Sequence, residues 1–364
     1  MAGTVVFQGC AVDQYQVKLN DILMNGLRDG EFTHAEAAFG NIDRGPILSS
    51  NTWGEGERLF DLASMTKGLS TGFLMYEASK DLGFNLNEGC GKTLDKLGIK
   101  FSGSELMKQQ SLFSLLNHSS SFPAWGCLWI NRLTSVENLW DNREKHILAH
   151  LNRILETRPE EKPVYSDLGY ILCGLILERM YGESQDILFS KSVGSKLKSF
   201  LGYLPMGSSI ASSNRSLAIS TGYCKVRQRD LVGEVHDENC ASLAGVSGHA
   251  GLFGSAASVA EAFSVLDGSG YFEENAKFVD PSRRDGGHDG LCGLRQNVQN
   301  SLRQFCAGNA IGHLGFTGTS FFIDPGSKNY VVFLTNRVIK ARLSSGIVSL
   351  RKQIHDLAGD FFNN

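Results

Sequence analysis

Apolar residues recur at helical spacing over Tyr15 to Leu27, at Val17, Leu19, Ile22, Leu23 and Leu27, and the stripe stops before Gly30. Phe32 to Ile42 reads as a strand and turn closed by Arg44-Gly45-Pro46, and beyond the Gly54 to Gly56 loop Arg58 to Ala63 is extended. From Ser64 to Lys80 the period becomes that of a helix, with Met65, Leu69, Phe73, Leu74 and Tyr76 on its apolar side, so a strand-to-helix junction falls at Ser64. The middle third predicts helices near Leu112 to Asn117, Glu144 to Leu155 and Leu168 to Met180, without strand alternation. Gly233 to Gly254 is rich in glycine and small residues, and Asp280 to Gly293 reads as a polar, glycine-laden loop. Near the C-terminus, His313 to Ile323 and Tyr330 to Arg337 predict two strands joined by a turn at Asp324-Pro325-Gly326-Ser327, followed by a helix from Gly346 to Phe361.

Helix and strand at the start, helices in the middle, and hairpin plus helix at the end predict an α/β fold whose antiparallel sheet combines both chain ends. Residues 1–63 and 195–364 would then form a discontinuous α/β lobe and residues 64–194 a mainly helical inserted lobe, with the active site expected in the cleft between them.

Composition fits that picture and excludes some partners. A chain of 364 residues with 42% apolar and 20% charged positions can bury a large core. A net charge of −3 leaves no cationic excess for a nucleic-acid backbone. The longest apolar runs, Ile171 to Leu177 and Val331 to Leu334, fall far short of the roughly 20 residues a membrane-crossing helix needs. Met1 to Val17 has no Lys or Arg before its weak apolar stretch, Thr4 to Phe7, so no secretory signal is expected. The eight cysteines form no C-x-x-C pair, and unpaired thiols in a reducing cytoplasm are the simplest expectation; a periplasmic location would follow if a leader had been removed.

Candidate chemistry begins at Ser64-Met65-Thr66-Lys67, an S-x-x-K at the first turn of a predicted helix, where Ser and Lys share one face. A serine hydroxyl is a poor nucleophile until a base takes its proton, and the free N–H groups of a helix start favour the developing oxyanion. Ser195/Lys198 and Ser349/Lys352 match the same pattern, but they lie in segments that read as solvated helix faces. Gly68-Leu69-Ser70-Thr71-Gly72 matches the G-x-S-x-G elbow, yet Ser70 sits nearly two turns into the helix, where small residues serve packing instead. His236, Asp237, Glu238, His249 and His288 match no zinc spacing and read as a polar loop lining the cleft, and His146 and His150 at i and i+4 read as solvent-facing, so no metal is expected.

Two further motifs follow: Tyr165-Ser166-Asp167 before a helix, and His313-Leu314-Gly315-Phe316-Thr317-Gly318 at a predicted strand. In that order the three elements resemble the S-x-x-K, Y-x-N and K-T-G motifs of the penicillin-recognising serine hydrolases, the family of class C β-lactamases, D-alanyl-D-alanine peptidases and related esterases. Asn117 to Pro123 is similar to that family's H-T-S-G-L-P loop, with Ser121 in place of its Gly. The resemblance implies a β-lactamase/DD-peptidase-like fold. It implies Ser64 as nucleophile, Lys67 as its activating partner, Tyr165 as general base, and the N–H groups of Ser64 and Phe316 as the oxyanion hole. Asp167, His313, Gly315, Asp237, Asn239 and His249 are the implied substrate contacts, and no cofactor is implied.

Leu314 departs from the family pattern, because it cannot donate the hydrogen bond with which the middle residue of K-T-G holds a free carboxylate. Gly233-Glu234-Val235-His236-Asp237-Glu238-Asn239 and Gly248-His249-Ala250-Gly251-Leu252-Phe253 are similar to segments of the exo-acting N-acetylmuramoyl-L-alanine amidase branch. That likeness implies a peptidoglycan fragment as the small-molecule substrate, cleaved at the MurNAc-L-Ala amide. D-Ala peptidase, esterase or weak β-lactamase action are the alternatives, together with a non-catalytic muropeptide binder.

Overall fold

The computed structural model describes residues 9–130, 132–133, 138–157, 160–207, 212–278, 295–296, 310–340 and 346–364. Its strands are β1 (Ala35–Asn41), β2 (Gly45–Asn51), β3 (Phe60–Asp61), β4 (Leu201–Tyr203), β5 (Gly222–Cys224), β6 (Arg229–Leu231), β7 (Leu252–Gly254), β8 (Arg295–Gln296), β9 (Ile311–Leu314), β10 (Ser320–Ile323) and β11 (Asn329–Thr335). Six of them form one antiparallel sheet in the order β2-β1-β11-β10-β9-β8. The central strand pairs the two ends of the chain, with Ala35 opposite Thr335 and Asn41 opposite Asn329.

The continuous apolar run of β11 arises because both faces of this sheet are covered. Val331 and Phe333 pack with Leu19, Leu23, Ile354 and Phe361 against the terminal helices Gly9–Arg28 and Gly346–Asn363. Tyr330, Val332 and Leu334 point the other way, into a larger core with Met65, Phe73, Leu172 and Phe263. This second core joins the sheet to the helices Gly72–Asp81, Asp167–Tyr181 and Ala256–Gly268. The fold is thus the expected α/β type, an antiparallel sheet flanked by helices.

Three sequence expectations change. His313 to Ile323 is two strands, β9 and β10, because Gly315 N–H bonds back to Thr319 O at 2.7 Å and Gly318 N–H to Gly315 O at 3.1 Å, closing a tight turn inside the apolar run. Gly45-Pro46, expected to close a turn, instead opens the strand β2, which tolerates Pro46 because it lies at the sheet edge. The β5–β6 pairing was not anticipated either. The loop Asp280 to Gly293, with His288, lies outside the described residues.

A second sheet, in the order β3-β7-β4, carries the chemistry to its place. Its strand β3 leads directly into Ser64, and β7 follows the segment that holds His249.

Candidate active site

Asp61 closes β3, and the Leu62 N–H donates to Leu252 O at 2.9 Å. Ala63 then turns left-handed, at φ 48°, so the chain swings into a helix with Ser64 at its mouth. The Asp61 carboxylate fixes this turn: Oδ1 accepts from the Ala63 N–H at 2.9 Å, and Oδ2 from the His236 N–H at 2.6 Å. Burial pushes Asp61 up to about 6, against the pull of those two N–H groups. An acidic residue in the otherwise apolar stretch Leu59 to Ala63 was the available signal for this role, and it went unread.

The helix is widened over Lys67–Thr71, a π-type turn of the kind frequent at functional sites. Lys67 is fully buried. Its Nζ donates to Ser64 Oγ at 2.9 Å and to His249 O at 3.1 Å, and pairs with Asp167 Oδ1 at 2.7 Å. The Tyr165 hydroxyl is hydrogen-bonded to both Lys67 and Ser64. Burial pulls the Lys67 pKa down, but the charges and hydrogen bonds of Asp167 and Tyr165 more than offset it, leaving Lys67 above its ordinary value. Burial raises Tyr165, Lys67 draws it back and Asp167 pushes it further up.

Tyr165 is set by its neighbours on the loop and helix around it. The His118 ring lies 4.3 Å from the Tyr165 ring, centroid to centroid, and His118 Nδ1 accepts from the Ser166 N–H at 3.0 Å. Ser166 caps the helix Asp167–Tyr181 by accepting from the Gly169 N–H. Because the cap is Ser166, Asp167 is not consumed as one and can turn to Lys67.

A third segment completes the wall. Asp237 Oδ1 accepts from the Cys240 N–H at 2.7 Å and meets His249 Nε2 at 2.8 Å, while His249 Nδ1 meets Ser247 Oγ at 2.9 Å. Burial raises the Asp237 pKa, yet His249, the Cys240 N–H and Lys67 outweigh it and hold the carboxyl below the usual range. Across the cleft, His313 lies on β9 with Nδ1 against Leu314 O at 2.7 Å. Gly315 has no room for a side chain, since a Cβ would run into Thr319 Oγ1 and Leu62 O. Phe316 is 46% exposed at the cavity mouth.

One cavity of about 640 Å³ gathers Ser64, Tyr165, Asp167, Asp237, His249, His313, Gly315 and Phe316. Asn239 is the exception and corrects the sequence expectation. It is buried, its Oδ1 accepts from the Leu128 N–H at 2.8 Å and its Nδ2 donates to Gly126 O at 2.8 Å, so both ends of its amide are spent on a neighbouring loop. Asn239→Ala strands two backbone groups and is expected to destabilise the fold by about 1–3 kcal/mol, read as a lower denaturation midpoint at constant slope.

The rejected alternatives also find their places. Ser70 is buried with its Oγ 3.0 Å from the Tyr203 hydroxyl, away from the cleft. His146 is committed to Leu128 O at 2.6 Å through Nε2 instead of facing solvent. Sequence reasoning missed Arg337 and Arg351, which line the cavity from beyond β11. Arg351 donates to Gly315 O at 2.6 Å and Thr319 O at 2.8 Å, and its buried Nε has no hydrogen-bond partner among the described residues. Burial and the neighbouring Arg337 pull it down to about 9, which still leaves a cation at neutral pH.

A serine at a helix mouth whose hydroxyl is hydrogen-bonded by both a buried lysine and a tyrosine is an arrangement suited to acyl transfer through a serine ester. The Beta-lactamase family pattern matches residues 29–346, and the chain belongs to that family as a serine hydrolase of the amidase and peptidase type. It is 28% identical over 312 residues to the N-acetylmuramyl-L-alanine amidase of Bacillus subtilis (strain 168), covering 77% of this chain and 68% of that protein. It is equally identical over 306 residues to an Escherichia coli (strain K12) protein with the provisional name D-alanyl-D-alanine carboxypeptidase, covering 77% and 69%. Among solved structures, the D-amino acid amidase of Ochrobactrum anthropi SV3 superposes with a TM-score of 0.67 at 15% identity, covering 96% of this chain and 99% of that one. EstCE1, a hydrolase with promiscuous acyltransferase activity, gives 0.66 at 16% identity, covering 96% and 100%. These two likenesses concern the fold.

Proposed function

We propose that the protein hydrolyses the amide between the lactyl group of MurNAc and the L-Ala of a peptidoglycan stem peptide. The observation that carries this reading is the set of side chains that line the cavity. Leu314 offers no hydroxyl to a substrate carboxylate, Trp125, Trp129 and Phe316 bring aromatic rings, and Arg337 and Arg351 are cations on the same lining, Arg337 lying 4.9 Å from the Phe316 ring centroid. The name of the Bacillus subtilis relative supports the same bond.

In this reading Ser64 Oγ attacks the lactyl carbonyl carbon while its proton passes to Tyr165 in its phenolate form. The N–H groups of Ser64 and Phe316 receive the oxyanion. Collapse breaks the C–N bond, Tyr165 returns the proton to the departing amine, and an ester remains on Ser64. Water, deprotonated by Tyr165, then cleaves that ester, giving free sugar acid and the enzyme. Gly315 and His313 flank the carbonyl, Asp237 and His249 form the facing wall, and Lys67 stabilises the Tyr165 phenolate.

Asp167 opposes phenolate formation, so its charge sets the pH at which the base is available. Asp167→Asn removes a group that raises Tyr165, and the ascending limb of the kcat/KM profile is expected to move to lower pH. An unmoved or upward-shifted limb would contradict that role.

A second reading, removal of a terminal D-Ala, is favoured by the name of the Escherichia coli relative. The two are separated by liquid chromatography and mass spectrometry on a mixture of MurNAc-peptides, sugar-free stem peptides ending in D-Ala-D-Ala, and a simple ester, with Ser64→Ala as control. Release of MurNAc and intact peptide is expected. Release of D-Ala alone moves the protein to the peptidase reading, and cleavage of the ester alone to the esterase reading.

A further inference from the structure

Trp125 and Trp129 line the cavity from the loop that follows Pro123, and Trp125 is 51% exposed. Leaving an indole in water forgoes burial of a large apolar surface, so a ring held there invites a ligand to cover it. The loop is pinned at every second residue. Ala124 O accepts from the Asp167 N–H at 2.9 Å, Gly126 O from Asn239 Nδ2, and the Leu128 N–H donates to Asn239 Oδ1 while Leu128 O meets His146. Gly126 sits so close to Ile154 that a Cβ would strike Ile154 Cδ1. The two indoles are therefore carried on a backbone tied to the segment bearing Tyr165 and Asp167.

We propose that Trp125 and Trp129 form a platform for the pyranose ring of an N-acetylated amino sugar on the acyl side of the substrate, and that Asn239 is the positioning residue that holds it. The identity of the sugar rests on the muramoyl-amide reading above. Carbohydrate rings expose C–H faces that pack on aromatic faces, and they ring those faces with hydroxyls that need polar partners. Asp237, Glu238 and His236 line the same cavity, and Asp237 keeps Oδ2 for such a contact, since among the described residues its two hydrogen bonds fall on Oδ1. The uncharged sugar-lactyl portion of the substrate belongs on the two indoles, which leaves Arg337 and Arg351 on the same lining to the carboxylate-bearing peptide.

The test compares kcat/KM for MurNAc-L-Ala-D-Glu with that for lactoyl-L-Ala-D-Glu, which keeps the amide and lacks the sugar. The wild type is expected to prefer the sugar substrate. Trp125→Ala is expected to reduce that preference about tenfold, mostly through KM, and Trp125→Phe to restore most of it. Asn239→Ala, assayed below its unfolding temperature, is expected to reduce the preference in the same way, which a merely weakened fold would not do. A preference preserved in both alanine variants overturns the platform. Should neither amide be cleaved, the muramoyl-amide reading fails by itself, and NMR titration of free MurNAc decides. Acetyl-proton shifts with the wild type and not with Trp125→Ala uphold the platform, and equal or absent shifts overturn it.

Discussion

Ser64→Ala is expected to fold like the parent and to lose about 10⁴-fold or more in kcat. The fold survives because Ser64 sits at a turn whose geometry is set by others: Asp61 bonds to the Ala63 N–H, and Leu62 to Leu252. Lys67 loses one hydrogen bond and keeps Asp167 at 2.7 Å and His249 O at 3.1 Å, so no buried charge is stranded. Stability should therefore change by no more than about 1 kcal/mol. Catalysis has no such reserve, since Tyr165 and Lys67 converge on one oxygen. Thermal melting and product assays check both halves, and intact-protein mass spectrometry adds a third. Wild-type enzyme quenched in turnover should carry the sugar-lactyl mass, and the variant no adduct. An adduct on the variant would place the nucleophile elsewhere.

Lys67→Met is expected to lose about 10³-fold or more in kcat and also to destabilise the protein by about 2–4 kcal/mol. Methionine fills a similar volume but removes the cation from a fully buried site. Asp167, whose side chain is 20% exposed, is left with its charge and without the partner that held it. The combination Lys67→Met with Asp167→Asn removes both charges and should recover at least half of the lost stability while recovering no activity. Denaturant midpoints for the single and double variants read this directly. If the double variant were no more stable than the single one, the loss would come from packing and not from the broken pair.

Ser64 and Lys67 were legible because their chemistry is written locally, whereas Tyr165 and Asp167 came from the resemblance, and the pairing of Asp167 with Lys67 was not anticipated. Ser64 and Lys67 share a helix face at a strand-to-helix junction, and Tyr165 and Asp167 open another helix. Asn239 was read as a substrate contact because of the segment around it, and nothing local in the sequence shows that its amide reaches Gly126 and Leu128, more than a hundred residues away. Arg337 and Arg351 were illegible for a different reason. An arginine near a strand end or on a terminal helix usually snorkels to water, and only the packed structure reveals that Arg351 turns inward to Gly315 and Thr319. The fold class followed from hydrophobic periods, whereas β2 and the turn between β9 and β10 were hidden by a proline at an edge and by apolar residues on both sides of a bend.

The pairing of β1 with β11 has a consequence for synthesis. Ala35 emerges from the ribosome some 300 residues before its partner Thr335, and β9, with His313, reaches the sheet only through β10 and β11. Such distant contacts close late, after the entropy of a very long loop has been overcome. A nascent chain that already contains Ser64, Lys67 and Tyr165 still lacks the strand that faces them. Until β11 arrives, the edge of β1 that pairs with it is left uncovered, a template for pairing with other chains.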